Sequence, residues 1–171
     1  MPITEILEQN ALKYGDDIAL VEINPQEMEK RHASWKEYSL IEASSVDSFR
    51  SEMTWKQFDE KANRLANFLL TRRLPRGAKV GILLMNCLEW LPIYFGILKS
   101  GCMAVPLNFR YTPEEIRYCL DLADVDLLLF GPEFTGRIEA IYDHLPRKTT
   151  LLYVGGDCPT FAEPYYSQDC L

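Results

Sequence analysis

The chain has 171 residues, of which 47% are hydrophobic and 25% charged, with a formal net charge of −7. This length suits one ordinary domain, and the mix is that of a soluble globular protein, which excludes a mainly disordered chain. The acidic balance also argues against a general phosphate-backbone binder, so no nucleic-acid partner is expected.

The five cysteines, Cys87, Cys102, Cys119, Cys158 and Cys170, are widely spaced and form no C-x-x-C pair. With only His32 and His144 beside them, a structural zinc site has poor material. The start, Met1-Pro2-Ile3-Thr4-Glu5, lacks the basic end and apolar core of a signal peptide. No apolar run approaches the roughly 18 residues needed to cross a bilayer. A reduced, cytoplasmic protein without a transmembrane helix is expected.

In chain order, Ile3, Ile6, Leu7 and Ala11 predict a helix over Pro2 to Tyr14 that Gly15 ends, and Ile18 to Ile23 reads as a short strand. Asn24 to Glu52 is polar and weakly periodic, which suggests a surface insertion; Trp35, Tyr38, Leu40 and Ile41 could form a hairpin strand within it. Thr54 and Gln57 have the capping-box spacing. A helix follows, burying Phe58, Ala62, Leu65, Ala66, Leu69 and Leu70 and closed by Pro75 and Gly77. Val80 to Leu84 is a continuous apolar run of strand length, the kind buried on both faces of a parallel sheet. A helix over Leu88 to Lys99, a strand at Met103 to Val105 and a helix from Pro113 to about Ala123 come next. Thr112 caps that last helix, with acids in its first turn. Leu127 to Phe130 reads as strand, Phe134 to Leu145 as helix and Leu151 to Val154 as strand. The alternation predicts an α/β fold with a mostly parallel sheet.

Chemical motifs are scarce. Neither a Walker loop, a G-x-G-x-x-G turn nor a G-x-S-x-G elbow occurs, and Gly155-Gly156 reads as a turn. His144 sits at a predicted helix end, where it can meet free carbonyls. Asp121, Asp124 and Asp126 read as solvated loop charges. Arg72, Arg73, Arg76 and Lys79 read as solvated residues at a helix C-terminus, with contact to anionic lipid or phosphate as the alternative. Cys102 reads as a small buried apolar residue. From the residues alone, the chain is an α/β domain without a recognisable active site.

Several segments resemble the N-terminal portion of the AMP-forming acyl-CoA synthetases, members of the adenylate-forming enzyme superfamily. Met53-Thr54-Trp55-Lys56-Gln57-Phe58-Asp59 is similar to that family's early "L-T-Y-x-E-L" segment, and Ala62 to Ala66 matches the helix after it. The stretch Leu98 to Asn108, reading LKSGCMAVPLN, resembles its second motif, and Tyr111 to Ile116 continues in the same manner. Asn108 and the Arg110 to Glu115 segment favour fatty-acyl or related CoA ligases over peptide-synthetase domains. Asn24 to Glu52 departs from the pattern.

The resemblance implies that residues 1–171 are one partial domain, the N-terminal part of a large adenylation domain with helices on both faces of its sheet and an insertion at 24–52. It implies a parent that uses ATP, Mg²⁺ and CoA to activate a carboxylate through an acyl-adenylate. The family's Thr/Ser/Gly-rich phosphate loop, later acidic residue and C-terminal lysine have no matching position here. No catalytic residue or metal ligand is therefore assigned, and the chain alone is expected to be inactive and to bind these ligands poorly. Arg110 follows a predicted strand at the end where open α/β sheets place ligands. The resemblance implies that it contacts the CoA nucleotide; an exposed loop arginine without a ligand is the plainer alternative. Apolar surface left uncovered implies self-association, and peripheral membrane contact stays open. A stand-alone, non-catalytic α/β binding module is the rival reading, and a flavodoxin-like or receiver-like domain is a third.

Overall fold

The computed structural model describes residues 1–23, 50–146 and 149–165. The hairpin expected around Trp35 to Ile41, and all of the expected insertion up to residue 49, lie outside the described residues. The chain divides into two compact units, Met1–Asp59 and Glu60–Leu171.

In the first unit, α1 (Ile3–Lys13) precedes β1 (Ile18–Ile23), which pairs antiparallel with β2 (Arg50–Thr54). Gly15 is required at the turn between α1 and β1, because a Cβ there would lie 2.8 Å from the Ala11 carbonyl oxygen. Arg50 to Glu52, polar in sequence, become strand through pairing with Ser51 opposite Glu22 and Arg50 opposite Ile23. The α2 helix (Trp55–Thr71) begins at the predicted capping box. The Thr54 N–H donates to Gln57 Oε1 at 2.9 Å, and the Gln57 N–H donates to Thr54 Oγ1 at 3.3 Å.

In the second unit the strands are β3 (Lys79–Leu83), β4 (Met103–Pro106), β5 (Leu127–Phe130), β6 (Thr150–Tyr153) and β7 (Glu163–Pro164). Among the described residues they form a parallel sheet in the order β4-β3-β5-β6-β7. The helices α3 (Trp90–Lys99), α4 (Pro113–Ala123) and the short α5 (Thr135–Glu139) connect the first four of these strands. Side chains alternate across the sheet, as the pleat requires. Val80, Ile82, Leu127, Leu129 and Leu152 pack with Leu65, Phe68 and Leu69 of α2 and Ile93 and Ile97 of α3. On the opposite face Leu83, Leu128, Phe130, Leu151 and Tyr153 pack with Ile116 and Leu120 of α4 and Ile138 of α5. Helices thus cover both faces, and the apolar strand runs are buried twice over.

Two elements differ from expectation. The helix predicted over Phe134 to Leu145 is broken into a 3₁₀ turn at Pro132–Phe134, α5, and a second 3₁₀ turn at Tyr142–His144. Phe134, Ile138 and Ile141 are still buried. Gly136 weakens a continuous helix, and short tight turns place the same apolar positions on the sheet. The β7 strand lies in a stretch that reads as a polar tail, and its pairing with β6 creates it.

Candidate ligand site at the carboxyl ends of the parallel strands

The connection after β3 runs to α3, against one face of the sheet, while the connection after β5 runs to α5, against the other. The crevice between the ends of these neighbouring strands is a topological switch point, where open α/β sheets take ligands. The β4–α4 loop, Leu107 to Thr112, borders it from the far side of β3. Leu107 is buried, and its N–H donates to the Ile82 carbonyl at 2.9 Å, anchoring the loop's first residue.

Asn108 then builds the turn. Its Oδ1 accepts the Arg110 N–H at 2.9 Å, and its carbonyl accepts the Tyr111 N–H at 3.1 Å. An aspartate could make the same turn, so the Asn108 geometry does not discriminate between substrate classes. The loop ends in the capping box of α4: the Thr112 N–H donates to Glu115 Oε2 at 2.8 Å, and the Glu115 N–H to Thr112 Oγ1 at 3.3 Å.

Arg110 is exposed at the apex of this loop, its guanidinium 5.3 Å from the centroid of the Phe109 ring. Among the described residues no carboxylate pairs with it. One residue that sequence reasoning missed holds the loop from the side. Arg137 Nη1, on α5, donates to the Phe109 carbonyl at 2.7 Å and to the Tyr111 carbonyl at 3.0 Å. Its partners lie 26 and 28 residues away, and no local pattern marks such a contact.

The LKSG segment does framework work. Lys99 Nζ donates to Asn63 Oδ1 at 2.8 Å, tying α3 to α2, and Ser100 Oγ donates to the Ile97 carbonyl at 2.7 Å. Gly101 turns the chain into β4 at a φ of 79°, a left-handed conformation that glycine takes without strain. Cys102 is buried, as expected. A missed ion pair, Lys61 with Glu89, closes over the start of α3; the Glu89 carboxylate is largely buried.

At the opposite, amino end of the sheet, away from Arg110, lie Asp124, Asp126 and Lys79. There the aspartates and basic residues meet each other: Asp126 Oδ2 accepts the Lys79 N–H at 2.9 Å, and Asp124 lies 3.9 Å from Lys79 Nζ. Asp126 is therefore a structural acceptor and not a solvated charge. Arg117 pairs with Asp121 at 2.8 Å along α4, and Arg72 pairs with Glu163 of β7. His144 is exposed in the second 3₁₀ turn. Gly155 follows β6, where an added Cβ would lie 2.7 Å from the Tyr153 ring, so its small size serves packing.

Residues 7–168 match the AMP-binding enzyme family. The chain belongs to that family. A medium/long-chain-fatty-acid–CoA/3-oxocholest-4-en-26-oate–CoA ligase of Mycobacterium marinum (strain ATCC BAA-535 / M) is 33% identical over 103 residues, covering 60% of this chain and 19% of that protein. A 3-oxocholest-4-en-26-oate–CoA ligase of Rhodococcus rhodochrous is 28% identical over 103 residues, again 60% of this chain and 19% of that one. The AMP-binding family chain thus spans about a fifth of the length of these relatives. Among solved structures, an anthranilate CoA ligase in complex with anthranoyl-AMP superposes with a TM-score of 0.74 at 25% identity, covering 96% of this chain and 28% of that one. A Mycobacterium tuberculosis fatty acyl CoA synthetase gives a TM-score of 0.68 at 25% identity, with 91% and 26% covered. These neighbours share the α/β scaffold described above.

Proposed function

We propose that this chain is the N-terminal portion of the adenylation domain of an ATP-dependent, AMP-forming acid–CoA ligase. Its substrate is a fatty acid or related carboxylate, and residues 1–171 form part of one large domain with an insertion at 24–52. The observation that carries the reading is the family match over residues 7–168, on a sheet whose carboxyl end presents an arginine that meets no carboxylate among the described residues. The names of the fatty-acid and sterol-acid CoA ligases among the relatives support the substrate class.

In the proposed reaction a carboxylate oxygen attacks the α-phosphorus of ATP and the bond to pyrophosphate breaks. The CoA thiolate then attacks the acyl carbonyl and AMP leaves. Within the described residues, no group of three His, Cys, Asp or Glu side chains is arranged to hold a metal ion. The reading assigns both the metal and the triphosphate to the family's Thr/Ser/Gly-rich loop and later acidic residue, which have no matching position in this sequence. What this chain supplies is the scaffold and Arg110, whose planar guanidinium suits the phosphate-bearing nucleotide of CoA. We place the protein in the cytoplasm because Cys87, Cys102, Cys119 and Cys158 are free thiols. No helix among the described residues is long and apolar enough to cross a membrane.

ATP–pyrophosphate exchange with fatty acids of varied length tests the reading. The full translated protein is expected to exchange, and the 171-residue chain alone to show none. Robust exchange by the chain alone would overturn the assignment of phosphate handling elsewhere. A full protein that neither exchanges nor forms acyl-CoA would favour a non-catalytic binding module.

A further inference from the structure

We propose that Arg137 is a positioning residue that presets Arg110 for an anionic nucleotide; this rests on the reading of Arg110 as a CoA contact. A single guanidinium nitrogen of Arg137 donates to the carbonyls on either side of Arg110, those of Phe109 and Tyr111. Asn108 Oδ1 holds the Arg110 N–H between them. The backbone of Arg110 is thus tied at three consecutive residues, while its side chain leans on the exposed Phe109 ring and meets no carboxylate among the described residues.

Two further observations set this apart from ordinary loop packing. Arg137 belongs to α5, which follows β5, and its bonds reach the loop after β4, a strand that is not a neighbour of β5 in the sheet. The tie therefore joins two connections at the carboxyl end of the sheet that β3 separates. Arg137 also spends its cation on carbonyls and on the Phe134 ring, 5.5 Å away, and forms no ion pair among the described residues. Charge-assisted bonds to carbonyls fix the loop without neutralising the positive charge near Arg110. A loop ordered before the ligand arrives avoids paying that ordering entropy on binding.

The test uses the full translated protein and its variants R110A, R137A, R137K and R110A/R137A. Calorimetric Kd values for CoA and for adenosine 3′,5′-bisphosphate are measured beside KM for CoA and for ATP. R110A and R137A are each expected to weaken both nucleotide ligands by about tenfold, the size of one lost charge-assisted bond. The double variant should be no weaker than R110A alone, and R137K, which keeps the charge and a donor, should bind more tightly than R137A. KM for ATP should stay unchanged. Normal CoA binding by R137A beside weakened R110A overturns the positioning role and leaves the reading of Arg110 intact. Multiplicative losses in the double variant, or equal losses for CoA and ATP, also overturn it. If R110A binds CoA normally, the reading of Arg110 itself fails and the inference with it. Should R137A not fold, Arg137→Gln, which keeps a donor of the wrong reach, carries the same comparison.

Discussion

Arg73 stands just past the end of α2 with a φ of 54°, its N–H donating to the Leu70 carbonyl at 3.0 Å. The left-handed turn that stops the helix here is one that glycine makes without a Cβ clash. Arg73→Gly is expected to stabilise the chain by about 0.5–1 kcal/mol, seen as a higher urea midpoint at unchanged slope. Cys158 offers a second test. Burial pushes its thiol above the ordinary value, and Sγ lies 3.3 Å from the Ala162 carbonyl as a donor to it. Because the folded value is raised, its contribution is fully present below the unfolded thiol value and lost as pH rises through the folded one. The stability advantage of wild type over Cys158→Ala should therefore shrink on going from neutral to strongly alkaline pH in paired denaturant titrations. An advantage that grows with pH would contradict it. The basic stretch Arg72 to Lys79 was visible in the sequence as charge alone. That Arg72 meets Glu163, Lys79 meets Asp124 and Arg73 bends the chain depends on partners the stretch does not contain.

At the scale of elements, α2 and α3 approach so closely that a Cβ on Gly96 would sit 2.9 Å from both the Ala62 carbonyl oxygen and Leu65 Cβ. The oxygen belongs to helix backbone and cannot move aside cheaply. Gly96→Ala is expected to destabilise the chain by about 1–3 kcal/mol through overpacking, measured by thermal or urea denaturation. A neutral result would mean that the helices separate without loss. The Thr54–Gln57 capping box and the Thr112 N-cap were both legible in the sequence, since such contacts are three residues apart, while the reciprocal bond from the Thr112 N–H to Glu115 was added by the structure. The helix over Phe134 to Leu145 was misread for a related reason. The periodicity of Phe134, Ile138 and Ile141 is real, but periodicity reports which positions face a core and not whether one helix or three short turns puts them there. A sheet already formed by β3, β5 and β6 makes that choice.

At the scale of the whole chain, the described residues leave several large apolar side chains exposed. On the second unit, Met103 on the edge strand β4 is 48% exposed, and Tyr118 and Leu122 on α4 are 61% and 72% exposed. Scattered apolar side chains are common on surfaces, but Tyr118 and Leu122 lie one helical turn apart on the same helix, and β4 ends the order of strands among the described residues. We propose that the isolated 171-residue chain self-associates, giving a light-scattering mass that rises with concentration. A constant monomer mass across a wide range would count against it.

The sequence by itself determined the α/β class, most helix starts and stops, the buried strand runs and the LKSG framework. All of these arise from interactions within a few residues or from a period of apolar positions. Only the tertiary structure decided that Asp126 is an anchor for β3, that β7 exists, and that Arg137 braces the loop of Arg110. Those contacts join groups 47, 11 and 26–28 residues apart. A polar side chain carries no sign in sequence of which distant carbonyl or carboxylate it will meet, because that is settled by the order in which the parallel strands assemble. The Arg110 loop shows the division at its sharpest: its caps and turn are local, and what holds it over the crevice comes from another strand's helix.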